Sequence, residues 1–351
     1  MNFTPFVYAA NRVLGRTKDI AQLASRTWTL EAEARERVPS ALYLPDALDR
    51  VTGLGPFTTM ADQRGIIAGG EVTHLPVRMH EVRRATLLDG SLYLTRHRSA
   101  LRENTARFSR QQWNIQRRNE GALCSTYFGG LYFGHWMTDD LPLTLLAGEH
   151  GTAVAVPLGP SVHRDEYQRR SGAKSQAIEA AEFDRLLVFE DRAQTRSKIG
   201  RYLQIRQGLL ASVQSQPEHP GVFLLRGTSG ARRLLENEST LADWCRSQGM
   251  KVVDPMTLSV GELIAATAGA QRVVGVEGSH LLHAMYTAAP CASFTVLLPP
   301  NRFSNVIKYW TDALSMGYAF VVGRPGKQDT FSVDLDDLKR TLGLFEGRAG
   351  C

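Results

Sequence analysis

The chain has 351 residues, of which 43% are hydrophobic and 22% charged, and its formal net charge is +6. This length favours two hydrophobic cores, and the composition excludes a disordered or fibrous protein. The basic residues are scattered among acids without a long stripe or a recognised module, so nucleic acid is not an expected partner, whereas small anions such as nucleotide diphosphates are.

The N-terminal segment mixes apolar and basic side chains without a signal-like apolar run. These residues are Phe3, Phe6, Val7, Arg12, Val13, Leu14, Arg16 and Lys18. They form either a basic amphipathic helix in peripheral contact with a membrane surface or, as is commoner, a helix packed on the protein's own core.

The four cysteines, Cys124, Cys245, Cys291 and Cys351, are far apart and contain no C-x-x-C pair. Neither a zinc site nor a disulfide framework is therefore expected. Isolated cysteines suit a reducing compartment, which predicts a cytoplasmic protein.

The first half of the chain predicts short strands and one helix. Residues 85–88 and 91–94 read as strands joined by an Asp-Gly turn. Residues 152–157 and 185–189 read as strands, and 176–182 as a helix. The segment 214–220 contains two prolines and is the best linker. We place the domain boundary at this linker, with an N-terminal domain over 1–215, interpreted as the acceptor side, and a second domain over 216–330, interpreted as the nucleotide-sugar-binding domain.

The second half predicts an α/β domain more clearly. The predicted strands are 222–225, 251–253, 272–276 and 293–298, and the predicted helices follow Asn237 as an N-cap or cover 260–268 and 280–288. Alternation at this spacing indicates βαβ crossovers and a parallel sheet. Residues 331–351 form a C-terminal segment with a helix capped by Asp334, which either covers this domain or crosses back to the first.

A strand, a tight turn and a helix are predicted around Glu277, Gly278, Ser279 and His280. The glycine lets backbone approach a ligand, and a helix N-terminus favours a diphosphate at the carboxyl end of a parallel strand. The alternative is an ordinary βα turn.

Arginines follow the first strand of the same domain, at Arg226, Arg232 and Arg233. Guanidinium groups bind phosphate oxygens bidentately and stay charged. Since carboxyl ends of parallel strands share one edge, these arginines are expected near Glu277. The alternative is a solvated basic loop.

A third group lies in the segment from Gly134 to Pro142. On a helix, His135 and Asp139 are an i, i+4 pair, so the carboxylate can orient the imidazole as a general base. Asp140 is the other candidate for this role. The alternative is a helix N-terminus capped by Thr138.

Three segments together resemble glycosyltransferase family 61, of the bacterial, capsular-polysaccharide-biosynthesis type. They are the H-x-x-x-D block at 135–139, the arginine-rich segment from Arg226 through Asn237 and Glu238, and the block at 273–286, similar to G-x-H-G-A-x-L. At one position Glu277 replaces the commoner histidine.

This resemblance implies a GT-B architecture with two Rossmann-like domains and parallel sheets facing a cleft. It implies an inverting transfer from a nucleotide sugar to a polysaccharide or glycolipid. The donor would be bound by Arg226, Arg232, Arg233, Asn237 and residues 277–280, while His135, Asp139 and Asp140 serve acceptor chemistry. No cofactor is expected and no D-x-D motif stands out, although the use of a divalent metal is not excluded. The alternatives are an inactive scaffold or glycan-binding protein and a nicotinamide-dependent epimerase.

Overall fold

The computed structural model describes residues 2–103, 115–161, 163–227, 233–327 and 329–346. The chain packs into two compact units. The first runs up to Ala34 and continues over His74–Ile205, and the second contains Arg35–Thr73 and the chain from Arg206 onward. Residues 35–73, placed in the N-terminal domain by the sequence interpretation, therefore pack with the C-terminal part.

The strands in the described residues are β1 (Arg26–Glu31), β2 (Ala34–Val38), β3 (Gly70–His74), β4 (Val77–Leu88), β5 (Ser91–Leu94), β6 (His97–Ala100), β7 (Gln116–Leu123), β8 (Ala153–Ala155), β9 (Gln176–Ala177), β10 (Ala180–Glu190), β11 (Val222–Leu224), β12 (Lys251–Val253), β13 (Arg272–Val276), β14 (Ser293–Leu298), β15 (Gly317–Val322), β16 (Arg324–Pro325) and β17 (Phe331–Ser332).

The α-helices are α1 (Thr4–Val13), α2 (Ile20–Leu23), α3 (Met60–Ala68), α4 (Tyr127–Leu131), α5 (Phe133–His135), α6 (Leu141–His150), α7 (Arg164–Ser171), α8 (Arg196–Ala211), α9 (Glu238–Ser247), α10 (Val260–Thr267), α11 (Ile307–Ala313) and α12 (Leu335–Gly343). Ala47–Arg50 and Ser279–His283 are 3₁₀ turns, and Trp136–Asp140 is a π-helical turn.

The sheet of the first unit is mixed, with the order β6-β5-β4-β10-β7-β8-β9 and β1 paired to β4. The central strand β10 runs antiparallel to β4 and parallel to β7. The fully parallel sheet expected for this unit is therefore wrong. The predicted hairpin is confirmed, because Asp89 and Gly90 both have positive φ, at 47° and 72°, as a tight turn between β4 and β5 requires.

The helix predicted over 176–182 is absent, because those residues form β9 and the start of β10. Alanine and glutamate favour a helix locally, but β10 pairs with strands on both sides. The two ladders and the burial of Phe183 and Leu186 outweigh differences in helix propensity, which are at most about 0.7 kcal/mol per residue.

The second unit contains a parallel five-stranded sheet with the order β12-β11-β13-β14-β15. Three predicted strands, 251–253, 272–276 and 293–298, are confirmed at their predicted bounds. Their side chains are mostly buried, as expected for strands covered on both faces. In this order the chain reverses direction across the sheet between β11 and β13, and ligands of such sheets bind at the carboxyl ends of strands beside that reversal.

The segment 35–73 extends this second sheet. The backbone of Leu42 accepts from Phe320 and donates to the carbonyl of Tyr318, beside β15. At the other end of the chain, Leu338 and Leu342 of α12 belong to the core of this unit, and Asp334 caps the helix as predicted. The C-terminal helix thus covers the second sheet.

The N-terminal helix α1 leaves its apolar side chains exposed. Phe3, Val13 and Leu14 keep 61%, 87% and 59% of their surface accessible, while Asn2 and Pro5 are buried and attach the helix to its unit. The helix also packs on its own unit, where the ring of Tyr8 meets that of Tyr93 in β5 at 6.1 Å. The favoured expectation of a helix packed on the protein's own core is therefore confirmed for this side of α1, but not for Phe3, Val13 and Leu14. Over the part of the chain that is described, no helix is both long and apolar enough to cross a membrane.

The cysteines differ from the expectation at one position. Cys124 and Cys245 are free and buried, whereas Cys291 is disulfide-bonded. The cysteine spacing predicted no disulfide framework and did not anticipate this bond, and the cytoplasmic location stays a prediction.

Candidate functional site

The first group of site residues lies where α5 passes through the π-helical turn into α6. Leu141 N–H bonds the carbonyl of Trp136, five residues back. Pro142 has no N–H to donate to the carbonyl of Thr138, as an α-helix would require. The hydroxyl of Tyr202 donates to that carbonyl instead, at 2.9 Å. Turns of this type occur frequently at functional sites.

His135 and Asp139 are in contact, as their spacing predicts. Nδ1 of His135 lies 2.8 Å from Oδ2 of Asp139, and the ammonium of Lys198 lies 2.9 Å from Oδ1 of the same carboxylate. Lys198 is fully buried, while the side chains of His135 and Asp139 stay 26% and 20% exposed. The imidazole is therefore oriented by a carboxylate that is itself held by a buried cation.

Asp139 is held in its charged form. Burial opposes the charge, but the nearby Lys198 ammonium and the His135 hydrogen bond outweigh it, so the pKa of Asp139 is lowered. A carboxylate with a lowered pKa is a poor proton acceptor at neutral pH. Asp139 is therefore suited to orient and polarise His135, whose Nε2 is left with the lone pair when Nδ1–H donates to Asp139.

Asp140 has a different environment from Asp139. Its Oδ1 accepts from the backbone N–H and the hydroxyl of Thr126, at 3.0 and 2.7 Å. Its pKa is raised well above the usual value, chiefly by burial. A Cβ on Gly129 would lie about 2.2 Å from this carboxyl group. Asp140 therefore links the turn to the start of α4, and its side chain is engaged there.

The alternative that Thr138 caps a helix is not what the structure shows. Thr138 is buried inside the π-helical turn, and its hydroxyl donates to the carbonyl of Gly134 at 3.0 Å. The backbone runs through this residue from α5 into α6 without leaving the helical region, because His135, Trp136, Asp140 and Leu141 on either side of it all have helical φ and ψ.

The second group lies at the reversal of the parallel sheet. Leu224 of β11 pairs with Gly275 of β13, so Arg226 and Glu277 leave neighbouring strands two residues later, side by side. Nη1 of Arg226 lies 3.3 Å from Nδ1 of His280. Both side chains are buried. The expected convergence of the two loops at one edge is confirmed.

Glu277 lies among arginines. Its side-chain oxygen Oε2 lies 3.1 Å from Nε of Arg233 and 3.4 Å from Nε of Arg302, and its carbonyl accepts from Arg233 at 2.9 Å. The Glu238 carboxylate accepts from the backbone N–H groups of Arg226 and Gly227. Among the described residues, three guanidinium groups thus lie near two carboxylates, so positive charge exceeds negative charge in this part of the site.

Burial and mutual repulsion make the positive charge of these arginines energetically costly. Burial, followed by repulsion from Arg233, lowers the pKa of Arg226 to about 10. A cluster of partly buried cationic side chains indicates a candidate anion-binding site, because a bound anion would relieve the repulsion among the cations. Arg226, Arg233 and Arg302 are called the guanidinium cluster below.

Gly278 lets the guanidinium groups of the cluster lie close against the backbone. Its φ is +154°, and a Cβ there would lie about 2.0 Å from Nη1 of Arg226 and 3.1 Å from Arg233. No other residue type fits without moving both guanidinium groups. This explains in physical terms why the turn after β13 contains glycine.

The helix predicted over 280–288 is instead the short 3₁₀ turn Ser279–His283. This turn is too short for its peptide dipoles to add up to a useful positive charge at its N-terminus. The positive charge at this site therefore comes from the arginine side chains. Burial, then the neighbouring Arg226, lowers the pKa of His280 well below the usual value. His280 is therefore a neutral hydrogen-bonding group, and half-buried Ser279 begins the turn.

Two other predicted donor residues have different positions. Asn237 precedes α9 but makes no side-chain cap. Its amide donates to the carbonyl of Val333 at 2.7 Å and accepts from the N–H of the same residue at 3.2 Å. It thus ties α9 to the chain before α12. Arg232 lies outside the described residues.

Sequence reasoning missed two members of these groups. Arg302 follows β14 by four residues, so the argument that identified Arg226, namely a basic residue just after a parallel strand, would have found it. Lys198 is 59 residues from Asp139 in α8, and no local pattern marks it. Only the packing of α8 on the π-helical turn brings its ammonium to the carboxylate.

Comparison with known proteins gives one finding for this chain. The model of the family described as Glycosyltransferase 61 matches residues 133–295. The match contains His135, Asp139, Lys198, Arg226 and Glu277, whereas Arg302 lies just beyond it. The search of curated proteins gives no match.

Proposed function

We propose that this chain, whose residues 133–295 match the model of the family described as Glycosyltransferase 61, is a glycosyltransferase that moves a sugar from a nucleotide-sugar donor to a polysaccharide or glycolipid acceptor. The observation that carries the donor assignment is the guanidinium cluster at the reversal of the parallel sheet. Guanidinium groups pair with diphosphate oxygens in two parallel hydrogen bonds. The second unit is therefore the proposed donor-binding unit of a GT-B enzyme.

The first unit supplies the base in this proposal. The acceptor hydroxyl gives its proton to Nε2 of His135, since Nδ1 is engaged by Asp139. The acceptor oxygen forms a bond to the anomeric carbon as the bond from that carbon to the diphosphate oxygen breaks. The diphosphate leaves with the electron pair, and the arginines stabilise its charge. Attack opposite the leaving group inverts the anomeric carbon.

A nucleotide screen tests the proposal. We expect one of UDP, GDP or CMP to raise the unfolding temperature, because a ligand that binds only the folded state stabilises it. The matching nucleotide sugar should be hydrolysed slowly without acceptor, also in EDTA, since the arginines hold the leaving group. If no nucleotide shifts unfolding and no nucleotide sugar is consumed, the chain is a scaffold or a glycan-binding protein.

We also propose that α1 contacts a membrane surface peripherally. Its exposed apolar residues, such as Phe3 and Leu14, adjoin the exposed bases Arg12 and Arg16, which is the pattern of a helix lying on anionic lipid. The protein should float with vesicles containing phosphatidylglycerol and less with pure phosphatidylcholine. The double variant Phe3→Ser, Leu14→Ser should lose flotation. Equal behaviour with both vesicles would refute the contact.

A further inference from the structure

Three aromatic side chains lie beside the candidate base His135, of which Phe128 and Tyr132 contact its ring and Tyr127 contacts Phe128. Tyr127, Phe128 and Tyr132 keep 38%, 39% and 36% of their surface exposed. The ring centre of Phe128 lies 5.3 Å from that of His135, and the ring of Tyr132 lies 6.0 Å away. Tyr127 meets Phe128 edge-on at 5.6 Å. Exposed aromatic rings this close together on a folded protein indicate a binding surface.

The segment that bears these rings is held rigidly. Thr126 caps α4 by accepting from the N–H of Gly129, and Asp140 fixes Thr126 through two hydrogen bonds. A Cβ on Gly130 would lie about 2.2 Å from the carbonyl of Leu101, so α4 also lies tightly against the chain beside it. The rings are thus placed before any ligand arrives, which reduces the entropy lost on binding.

We propose that Tyr127, Phe128 and Tyr132 form an acceptor subsite, on which a pyranose ring stacks with its apolar C–H face. The electron-rich faces of aromatic rings attract weakly positive C–H groups, and the hydroxyls at the sugar's edge stay free for hydrogen bonds. A sugar held there presents a hydroxyl to the neighbouring His135. Naming it the acceptor rests on the proposed function, because the base deprotonates the acceptor.

This assignment gives Asp140 a role as a positioning residue. Its carboxyl group accepts from the hydroxyl of Thr126 and lies against Gly129. It joins the π-helical turn that follows His135 to the start of α4, which contains Tyr127 and Phe128, so that Asp140 positions the base and the subsite relative to each other.

Saturation-transfer NMR with simple methyl glycosides tests the subsite without needing turnover. The probes are the methyl glycosides of glucose, galactose, mannose and xylose. We expect saturation at the C–H protons of one face of at least one glycoside. Phe128→Leu, which keeps an apolar side chain but removes the ring, should weaken binding about fivefold, and Phe128→Tyr should restore it.

Tyr309→Leu is the matched control, because Tyr309 is similarly exposed at 43% and lies in the second unit. Its saturation pattern should equal that of the wild type. Absence of saturation in all four glycosides, or equal saturation in wild type and Phe128→Leu, overturns the subsite. Hydrolysis of nucleotide sugars by the wild type is scored separately. If it fails while saturation persists, the transferase proposal is lost and the rings bind glycan for another purpose.

Discussion

Replacement of His135 by glutamine is expected to slow sugar transfer by about 10²–10⁴-fold, the usual contribution of a general base. Glutamine keeps a hydrogen-bond donor near Asp139 but cannot accept the acceptor's proton. Nucleotide affinity should be unchanged, since the donor is assigned to the guanidinium cluster of the other unit. Initial rates and nucleotide titrations on the same preparations measure both quantities.

His150→Gln is the control for this substitution, because His150 lies in α6 of the same unit and its ring contacts that of Phe189. Its rate should remain within about twofold of the wild type, as for surface substitutions away from a site. A His135→Gln protein with normal turnover would show that another group takes the proton.

A loss of sugar transfer is also expected when Asp139, which orients His135, is replaced. Asp139→Asn should lose transfer by about 10²-fold or more, because an amide neither fixes the tautomer nor stabilises the imidazolium. Nucleotide binding should again persist. Full activity of the asparagine variant would remove Asp139 from the mechanism and leave its contact with His135 a structural one.

Lys198→Met tests how the ion pair between Lys198 and Asp139 makes the stability of the protein depend on pH. In the wild type the lowered pKa of Asp139 stabilises the fold above the unfolded-state pKa, and that contribution is lost as pH falls through the folded-state pKa. Without the ammonium, burial dominates and should raise the pKa of Asp139. The free energy of unfolding of the variant should therefore be lower than that of the wild type by about 3–5 kcal/mol near pH 7.5. The loss should be much smaller near pH 4, where Asp139 of the variant is protonated. Equal losses in urea unfolding at both pH values would contradict this account.

Replacement of Arg226 by alanine is expected to lower donor turnover by about 10²–10³-fold, as does the loss of one preorganised donor that stabilises a developing charge. Affinity for the nucleoside diphosphate should fall as well. The free protein should not unfold at a lower temperature, because the lost cation is buried next to Arg233 and its pKa is already depressed. Donor hydrolysis, calorimetric titration and thermal unfolding test the three parts.

Arg246→Ala is the matched control, since Arg246 lies in the same unit but forms an exposed ion pair with Asp243. Such pairs contribute about 0–1 kcal/mol and no site chemistry. A second variant, Gly278→Ala, probes the same cluster without removing a charge, because its Cβ would displace Arg226. Normal turnover in both Arg226→Ala and Gly278→Ala would refute the phosphate-binding role.

The local sequence determined those features whose signals lie within a few residues. β12, β13 and β14 were predicted at their observed bounds, because continuous apolar runs flanked by turns read the same way in any parallel sheet. The His135–Asp139 contact follows from helical spacing alone. The placement of Arg226 beside Glu277 follows from the rule that parallel strands end at one edge.

Only the tertiary structure decided the features that depend on distant pairing. Residues 176–182 became strand because β4 and β7 offered ladders on both sides. Residues 35–73 joined the second unit through bonds to a strand far along the chain. Lys198 reached Asp139 through the packing of α8. In each case the deciding partner lies dozens of residues away, and local propensities are too small to oppose a long-range ladder or a buried ion pair.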